Sequence, residues 1–501
     1  MPAFRGFMLS LAAVAAVCTF GLGAAGQGAQ EDPAVQFQLA TDFFESARYE
    51  EALNAYDLAL RGDDLALGTR ARKGKVRSAL RIAEFDLARA EAETLNVGER
   101  PDAEARALLG DALWASGLFD EADAAYGEAL AVAPGSSRAR FGFARALASH
   151  SRLDEALAEA LEIASIAPQD AEVQALVAVV YQRLHRFEEA ADAYERYIAL
   201  LPGLDDNINA ALAMSTVRLL RSFENRVPED LQGDPARVHR VSFRMNDQKI
   251  VMGGRVNRVP MEFVLDTGAE RTGISDATAG RARINPVAVT VSAGVGPAAL
   301  RRLDLGRADS IQVGSLEIRN VPVSIRTIEG GRFPQWQAEV FSPLSLGISV
   351  VVDYERHEVL LSRAIPADEA DIRLPMRMNR LPLVRGVLNS SHPAYFVVDT
   401  GGELISISAE TALALAMPPV RRIPLNVVGM SGVDLNAFLL PGVDLDFDQI
   451  IYRKVGLAVL NLRAPSVLLG FRLGGIVGHS FLSDYRVSID LERSELRLKK
   501  L

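Results

Sequence analysis

Two stretches of this chain could do chemistry together. Phe263 to Ser275 reads FVLDTGAERTGIS, and Phe396 to Ser408 reads FVVDTGGELISIS; eight of the thirteen positions are identical. Each is an apolar, strand-like run that delivers a carboxylate (Asp266, Asp399), then a hydroxyl (Thr267, Thr400), then a glycine (Gly268, Gly401). Two carboxylates brought to one place cannot both ionise, so such a pair holds a shared proton and is suited to general acid and base work.

The elements that would bring them together are also duplicated. Arg244-Met245-Asn246 recurs as Arg377-Met378-Asn379, and Pro260 recurs as Pro393, all at the 133-residue offset that separates the aspartates. Val350 to Leu361 aligns with Val487 to Leu498 at an offset of 137, so the second copy has gained four residues between motif and end. Two homologous β units, each bringing one aspartate, predict a two-lobed site on a pseudo-two-fold axis.

At this point the chain resembles the aspartic protease superfamily, and within it the bacterial retropepsin-like branch, over about Val241 to Leu501. The resemblance implies that Asp266 and Asp399 are the catalytic pair, that Thr267 and Thr400 lock the two loops together, and that Gly268 and Gly401 permit the tight turn. It implies peptide hydrolysis without a covalent intermediate. One carboxylate takes a proton from water; the other donates to the carbonyl oxygen. The family's second signature, two apolar residues and a glycine, stands in the second copy as Ile476-Val477-Gly478. In the first copy the residue aligned with that glycine is Phe341. By the family layout, the glycine-rich hairpin Val291 to Leu303, with Gly294 and Gly296, is a flap over substrate, and Val427 to Val433, with Gly429 and Gly432, is its counterpart. Many pepsin-like enzymes follow the motif with a hydroxyl residue that can donate to the aspartate. Here Ala269 and Gly402 carry none, which predicts a weakly acidic to near-neutral optimum.

Other chemistries find little support. Gly478-His479-Ser480-Phe481-Leu482 begins like a nucleophile elbow, but Leu482 replaces the closing glycine and strand-like sequence follows, so His479 and Ser480 read as structural. No metal-binding helix, phosphate loop or dinucleotide fingerprint occurs, so neither a metal nor a cofactor is expected. A net charge of −10 with no large basic patch argues against a nucleic-acid partner. The single cysteine, Cys18, leaves no disulfide framework.

Residues 1–28 read as an export signal: Arg5, an apolar run from Phe7 to Leu22, then small residues at Gly23-Ala24-Ala25-Gly26. Cleavage would leave a periplasmic protein with no membrane span; the rival reading is an uncleaved anchor facing the periplasm. Val17 argues against a lipoprotein site at Cys18. From 36 to 221 the chain repeats every 34 residues. Phe85, Phe119, Leu153 and Phe187 each open an acidic-alanine motif, Tyr49 opens an earlier one, and Pro134, Pro168 and Pro202 close units. This resembles the tetratricopeptide repeat and predicts an all-α solenoid of stacked helical hairpins able to hold a protein partner. His150 and His185 fall at hairpin turns and are expected to be solvated.

The fold class expected is therefore multidomain: an all-α repeat solenoid (36–221), a linker (222–239), and an all-β two-lobed domain (240–365 and 366–501), the lobes joined by a stretch near 363–372. Residues 240–501 are expected to fold alone, with the dyad forming within one chain. Two functions follow. One is an exported aspartic endopeptidase acting on a peptide or protein substrate, its repeats recruiting substrate or partner. The other is a non-catalytic peptide-binding adaptor. Intact aspartates, threonines and glycines favour the enzyme; Phe341 favours the adaptor.

Overall fold

A computed structural model describes residues 32–97, 102–204, 207–296, 300–327, 337–417, 422–429 and 432–501. The expected signal segment and Cys18 lie outside them, as do Pro297, Met430 and Ser431.

Helices run from Pro33–Glu45 to Ile208–Arg221, and neighbours in sequence pack as neighbours in space. Each residue that opens the repeated motif is the first residue of a helix: Tyr49, Phe85, Phe119, Leu153 and Phe187. The acids that follow lie in the first turn, where the helix dipole favours negative charge. The partner helix of each hairpin is capped by a side-chain oxygen, from Asp32, Asp64, Asp102, Ser136, Asp170 and Asn207. Small residues set how closely helices approach. The Tyr126 ring is slotted between Gly110 and Gly142, where a Cβ would come within 2.4 and 2.2 Å of it, and its hydroxyl donates to Asp111 at 2.8 Å.

The turn between the helices of each hairpin places one residue in the left-handed region: Ala47, Ala83, Gly117, Ser151 and His185. Four non-glycine residues occupy this position, so the conformation alone does not demand glycine. Gly117 is different because the carbonyl of Arg472 would lie 2.4 Å from any Cβ there, and the Arg472 amide donates to Ala115 at 2.8 Å. The repeat domain is thus docked through its backbone onto the last quarter of the chain.

The β region is two lobes built alike. Each begins with three antiparallel strands: His239–Asn246, Lys249–Val256 and Val259–Leu265 in the first; Ile372–Asn379, Leu381–Leu388 and His392–Val398 in the second. One sheet joins them, in the order His239–Asn246, Glu358–Ser362, Ser349–Asp353, Tyr485–Asp490, Glu495–Lys500, Ile372–Asn379. At its centre Val350 pairs with Ile489 and Val352 with Val487. Since 350 corresponds to 487 and 352 to 489, the contact is self-complementary, the geometry of a two-fold axis within one chain.

The connecting stretches are ordered. Within 222–239, Asp230–Leu231 adds a short strand to Leu316–Arg326, and buried Glu229 donates its amide to the Asn320 carbonyl and brings its carboxylate within 3.2 Å of the His185 ring. His185 is therefore half-buried between domains, contrary to the solvated turn expected of it, because the first lobe packs on that turn. Near 363–372, Asp368 bonds Arg486 at 2.7 Å and faces Arg497, which is almost wholly buried.

The repeat domain shares a core with the second lobe. Phe119 packs edge-on against Tyr395 and Phe471, with ring centroids 4.8 and 5.1 Å apart. Buried Arg377 reaches Asp120 and Asp123 at 2.7 and 2.6 Å and Ser149 at 3.1 Å. On the first lobe, Leu219 and Phe223 pack with Ala288 and Leu305. No helix among the described residues is long and apolar enough to cross a membrane.

Candidate active site

Each aspartate stands at the end of a strand whose other edge is held by a parallel neighbour. Val264 and Leu265 pair with Val340 and Phe341; Val397 and Val398 pair with Ile476 and Val477. The amides of Asp266 and Asp399 donate to Phe341 and Val477, each at 3.0 Å. Both loops thus leave their strands at the same height.

This register corrects the alignment of Phe341 with Gly478. Phe341 is the structural counterpart of Val477, and the glycine position is held by Ser342. The four-residue excess of the second copy divides: the offset is 136 at Phe341 and Val477, and 137 only after that point. Gly478 has no room for a side chain, with a Cβ placed 2.7–2.9 Å from the Gly402 and Leu404 backbone. Ser342 fits because its hydroxyl donates to the Ala269 carbonyl at 2.5 Å, while its amide donates to Thr272 at 3.1 Å. The first loop is supported after all, by a hydroxyl where the second uses close backbone contact.

Between the loops the threonines interlock. The Thr267 amide donates to the Thr400 hydroxyl at 3.1 Å and the Thr400 amide to the Thr267 hydroxyl at 3.0 Å. Each hydroxyl then donates across to the other strand, Thr267 to Val398 at 2.7 Å and Thr400 to Leu265 at 2.9 Å. Each hydroxyl both accepts and donates, so the network is rigid and nearly symmetric. The glycines are crossed: a Cβ on Gly268 would lie 2.5 Å from the Asp399 carboxyl carbon, and one on Gly401 would lie 2.7 Å from that of Asp266. Each glycine makes room for the opposite lobe's carboxylate.

The two carboxyls are hydrogen-bonded to each other at the floor of a cleft. Desolvation, then the charge of Asp399, pushes Asp266 up to about 7. Burial also raises Asp399, opposed by the Gly401 amide, which donates to it at 2.7 Å, and by Lys249. The pair therefore titrates as a unit sharing one proton, with the charge better stabilised on Asp399.

The cleft occupies about 1810 Å³. Gly294, Gly429 and Gly432 line it; Gly296 is buried in the same hairpin tip as Gly294. The first hairpin is longer than its sequence pattern predicts, pairing Pro286–Ser292 with Arg301–Val313. The second pairs Val427–Gly429 with Gly432–Asp434. The two tips meet where Gly429 lies against the Val295 carbonyl, a Cβ there falling 2.2 Å away. Behind the dyad, His479 is buried with its ring edge-on to Tyr354 at 5.1 Å. A one-turn helix, His479–Leu482, does follow the strand there, contrary to the expected run of strand, because the Gly402 and Glu403 carbonyls accept its first amides; Ser480 is exposed.

Three further groups at the site carry no sequence signal. Lys249 donates to the Gly401 carbonyl and pairs with Glu403 at 3.1 Å. Arg326 faces Asp266 through space and donates to the Ala338 carbonyl at 2.7 Å. Glu339 is buried, accepting from the Ser275 amide and hydroxyl at 2.7 Å and from Thr278 at 2.6 Å. Most of their partners lie tens of residues or more away, beyond any local pattern. No group of three or more metal-ligating side chains occurs among the described residues.

Residues 252–332 match the family model for the gag-polyprotein putative aspartyl protease, and residues 113–180 match that for the tetratricopeptide repeat. The chain thus carries tetratricopeptide repeats followed by an aspartyl-protease-like β domain. Among solved structures, it is similar to YrrB, described as a TPR protein with an unusual peptide-binding site, at 24% identity over 37% of this chain and 92% of that one, TM-score 0.23. It is also similar to a thermophilic TPR protein of Thermus thermophilus, at 19% identity over 36% and 98%, TM-score 0.32. A tetratricopeptide repeat protein from Parabacteroides merdae matches at 17% identity over 39% and 73%, TM-score 0.32. No curated protein matches the chain.

Proposed function

We propose that this protein is an exported aspartic endopeptidase. The observation that supports this reading most is the hydrogen-bonded pair Asp266 and Asp399 on interlocked threonine loops. In this reading Asp399, whose charge the Gly401 amide favours, takes a proton from a water held between the carboxyls. Asp266 holds the shared proton and gives it to the carbonyl oxygen of the scissile bond, and the proton now on Asp399 later passes to the departing amine. An extended peptide lies in the cleft beneath the two glycine-rich tips. The adaptor reading drew on Phe341, and that residue does not stand at the glycine position.

The test uses the full chain and a diverse peptide mixture read by mass spectrometry. Asp266→Asn and Asp399→Asn should each abolish cleavage, and mixing the two variants should not restore it. Recovery in the mixture would mean that like lobes of two chains pair. A folded wild-type protein that binds peptides and cuts none would return the adaptor reading. Export is tested by fractionating cells that express the tagged chain; cytoplasmic retention of the full-length form would contradict it.

A further inference from the structure

The chain is acidic as a whole, at −10, yet the cleft that holds the dyad is lined by nine arginines and lysines against seven acids among the described residues. Several of these cations have carboxylate partners: Lys249 with Glu403, Arg380 with Glu270, and Arg145 with Asp111. Arg183, Arg271 and Arg363 have no carboxylate of the described residues within ion-pair distance. Arg183, at the end of the repeat helix Ala171–Arg183, donates to the carbonyls of Ala148 and Met378 and to the hydroxyl of Ser151. Arg363 donates to the Glu229 carbonyl at 3.3 Å, and its Nε is buried without a partner. Arg271, five residues past Asp266, faces Tyr194 of the repeat domain.

These three belong to one region. Met378 lies two residues from Arg380, and Arg380 pairs with Glu270, the neighbour of Arg271. Glu229, which bonds Arg363 through its carbonyl, acts through space on both Arg271 and Arg363, beside Glu270 on the first and Asp230 on the second, and its carboxylate lies 3.2 Å from His185. Burial holds all three guanidiniums below their ordinary range. Cations withdrawn from water with hydrogen bonds but no carboxylate in direct contact leave a place that an anion fills at little further desolvation cost. The cleft's occupant, on the reading above, is a peptide, whose anionic groups are carboxylates.

We propose that Arg183, Arg271 and Arg363 form a cationic recess, shared by the repeat domain and the β domain, that receives a carboxylate of the bound peptide. The proposal rests on the reading of the cleft as a peptide site. It makes the repeat domain a wall of that site, and it selects substrates carrying an acidic side chain or a free C-terminus near the cut.

The test separates binding from chemistry. Full-length Asp399→Asn protein is titrated against fluorescein-labelled decapeptides of one alanine- and leucine-rich background, read by anisotropy. A single Glu or Gln is moved through every position, and each peptide is made as the free acid and the amide. Some carboxylate-bearing peptides should bind about tenfold tighter than the neutral ones, the worth of a charge-assisted hydrogen bond. Whether the gain follows Glu or the terminus identifies its source. It should vanish in Arg271→Gln and in Arg363→Gln, persist largely in Arg271→Lys, and be untouched by Arg244→Gln, whose arginine pairs with Glu262 at the surface. Equal binding of acidic and neutral peptides would overturn the proposal, as would an acid preference that survives both glutamine variants with their fold intact by circular dichroism. If the preference holds while wild-type protein cuts none of the peptides, the chemistry proposed above fails and the recess stands.

Discussion

At the scale of single residues, the dyad's proton sets the pH dependence of the proposed cleavage. Asp266 is raised to about 7, so its acid form persists well above the ordinary carboxylate range and is lost as pH rises through that value. The alkaline limb of kcat/KM should therefore fall near neutrality, and the optimum should lie at weakly acidic to neutral pH. Ala269→Ser tests the cause. A hydroxyl able to donate to the charged carboxylate lowers its pKa, so both limbs should move to lower pH. A profile with unmoved limbs would count against the argument, as would a parent enzyme most active at strongly acid pH. The residues of the motif were legible because they recur in one frame. Ser342 was not: it replaces a glycine, and only the strand register reveals where the extra residues of the second copy fall.

At the scale of elements, the same local sequence meets two fates. Arg244-Met245-Asn246 and Arg377-Met378-Asn379 open equivalent hairpins, yet Arg244 forms a surface pair with Glu262 while Arg377 is buried against Asp120, Asp123, Ser149 and Tyr395. What differs is the neighbour, the repeat helix Phe119–Val132, and no pattern within the β region announces it. Phe119 likewise reads as a repeat-core residue and is one, but its ring also meets Tyr395 and Phe471 of the second lobe. The 34-residue period made the helices legible, and nothing in a period says where a solenoid docks. Arg377→Met should leave Asp120 to Tyr395 and Arg385 and take from the partly buried Asp123 its guanidinium, at a cost of about 1–3 kcal/mol seen as a lower Tm. Arg385→Met, which breaks a more exposed pair with Asp120 and Glu121, should cost under about 1 kcal/mol. Equal effects from the two changes would show that the buried cluster does not carry the docking.

At the scale of the whole molecule, the repeat domain and the β domain are parts of one folded body. The sequence leads one to expect residues 240–501 to stand alone, since no catalytic group precedes them and residues 222–239 are rich in turn formers. In the structure that cut strips Tyr395, Phe471 and Leu383 of their covering from Trp114, Phe119 and Tyr126, and leaves Arg377 without its acids. The isolated fragment should therefore bind a hydrophobic dye and aggregate at concentrations where residues 32–501 stay clear. A soluble, dye-silent, cooperatively melting 240–501 fragment would refute this. The sheet that joins the lobes carries a separate consequence, one of timing. The first lobe's Ser349–Asp353 must wait for Tyr485–Asp490, and Ile372–Asn379 must wait for Glu495–Lys500. On the ribosome, Asp266 and Asp399 are both made long before the strands that bring them together. A site closed only by those later strands stays open until residues 485–500 have been made and have folded back.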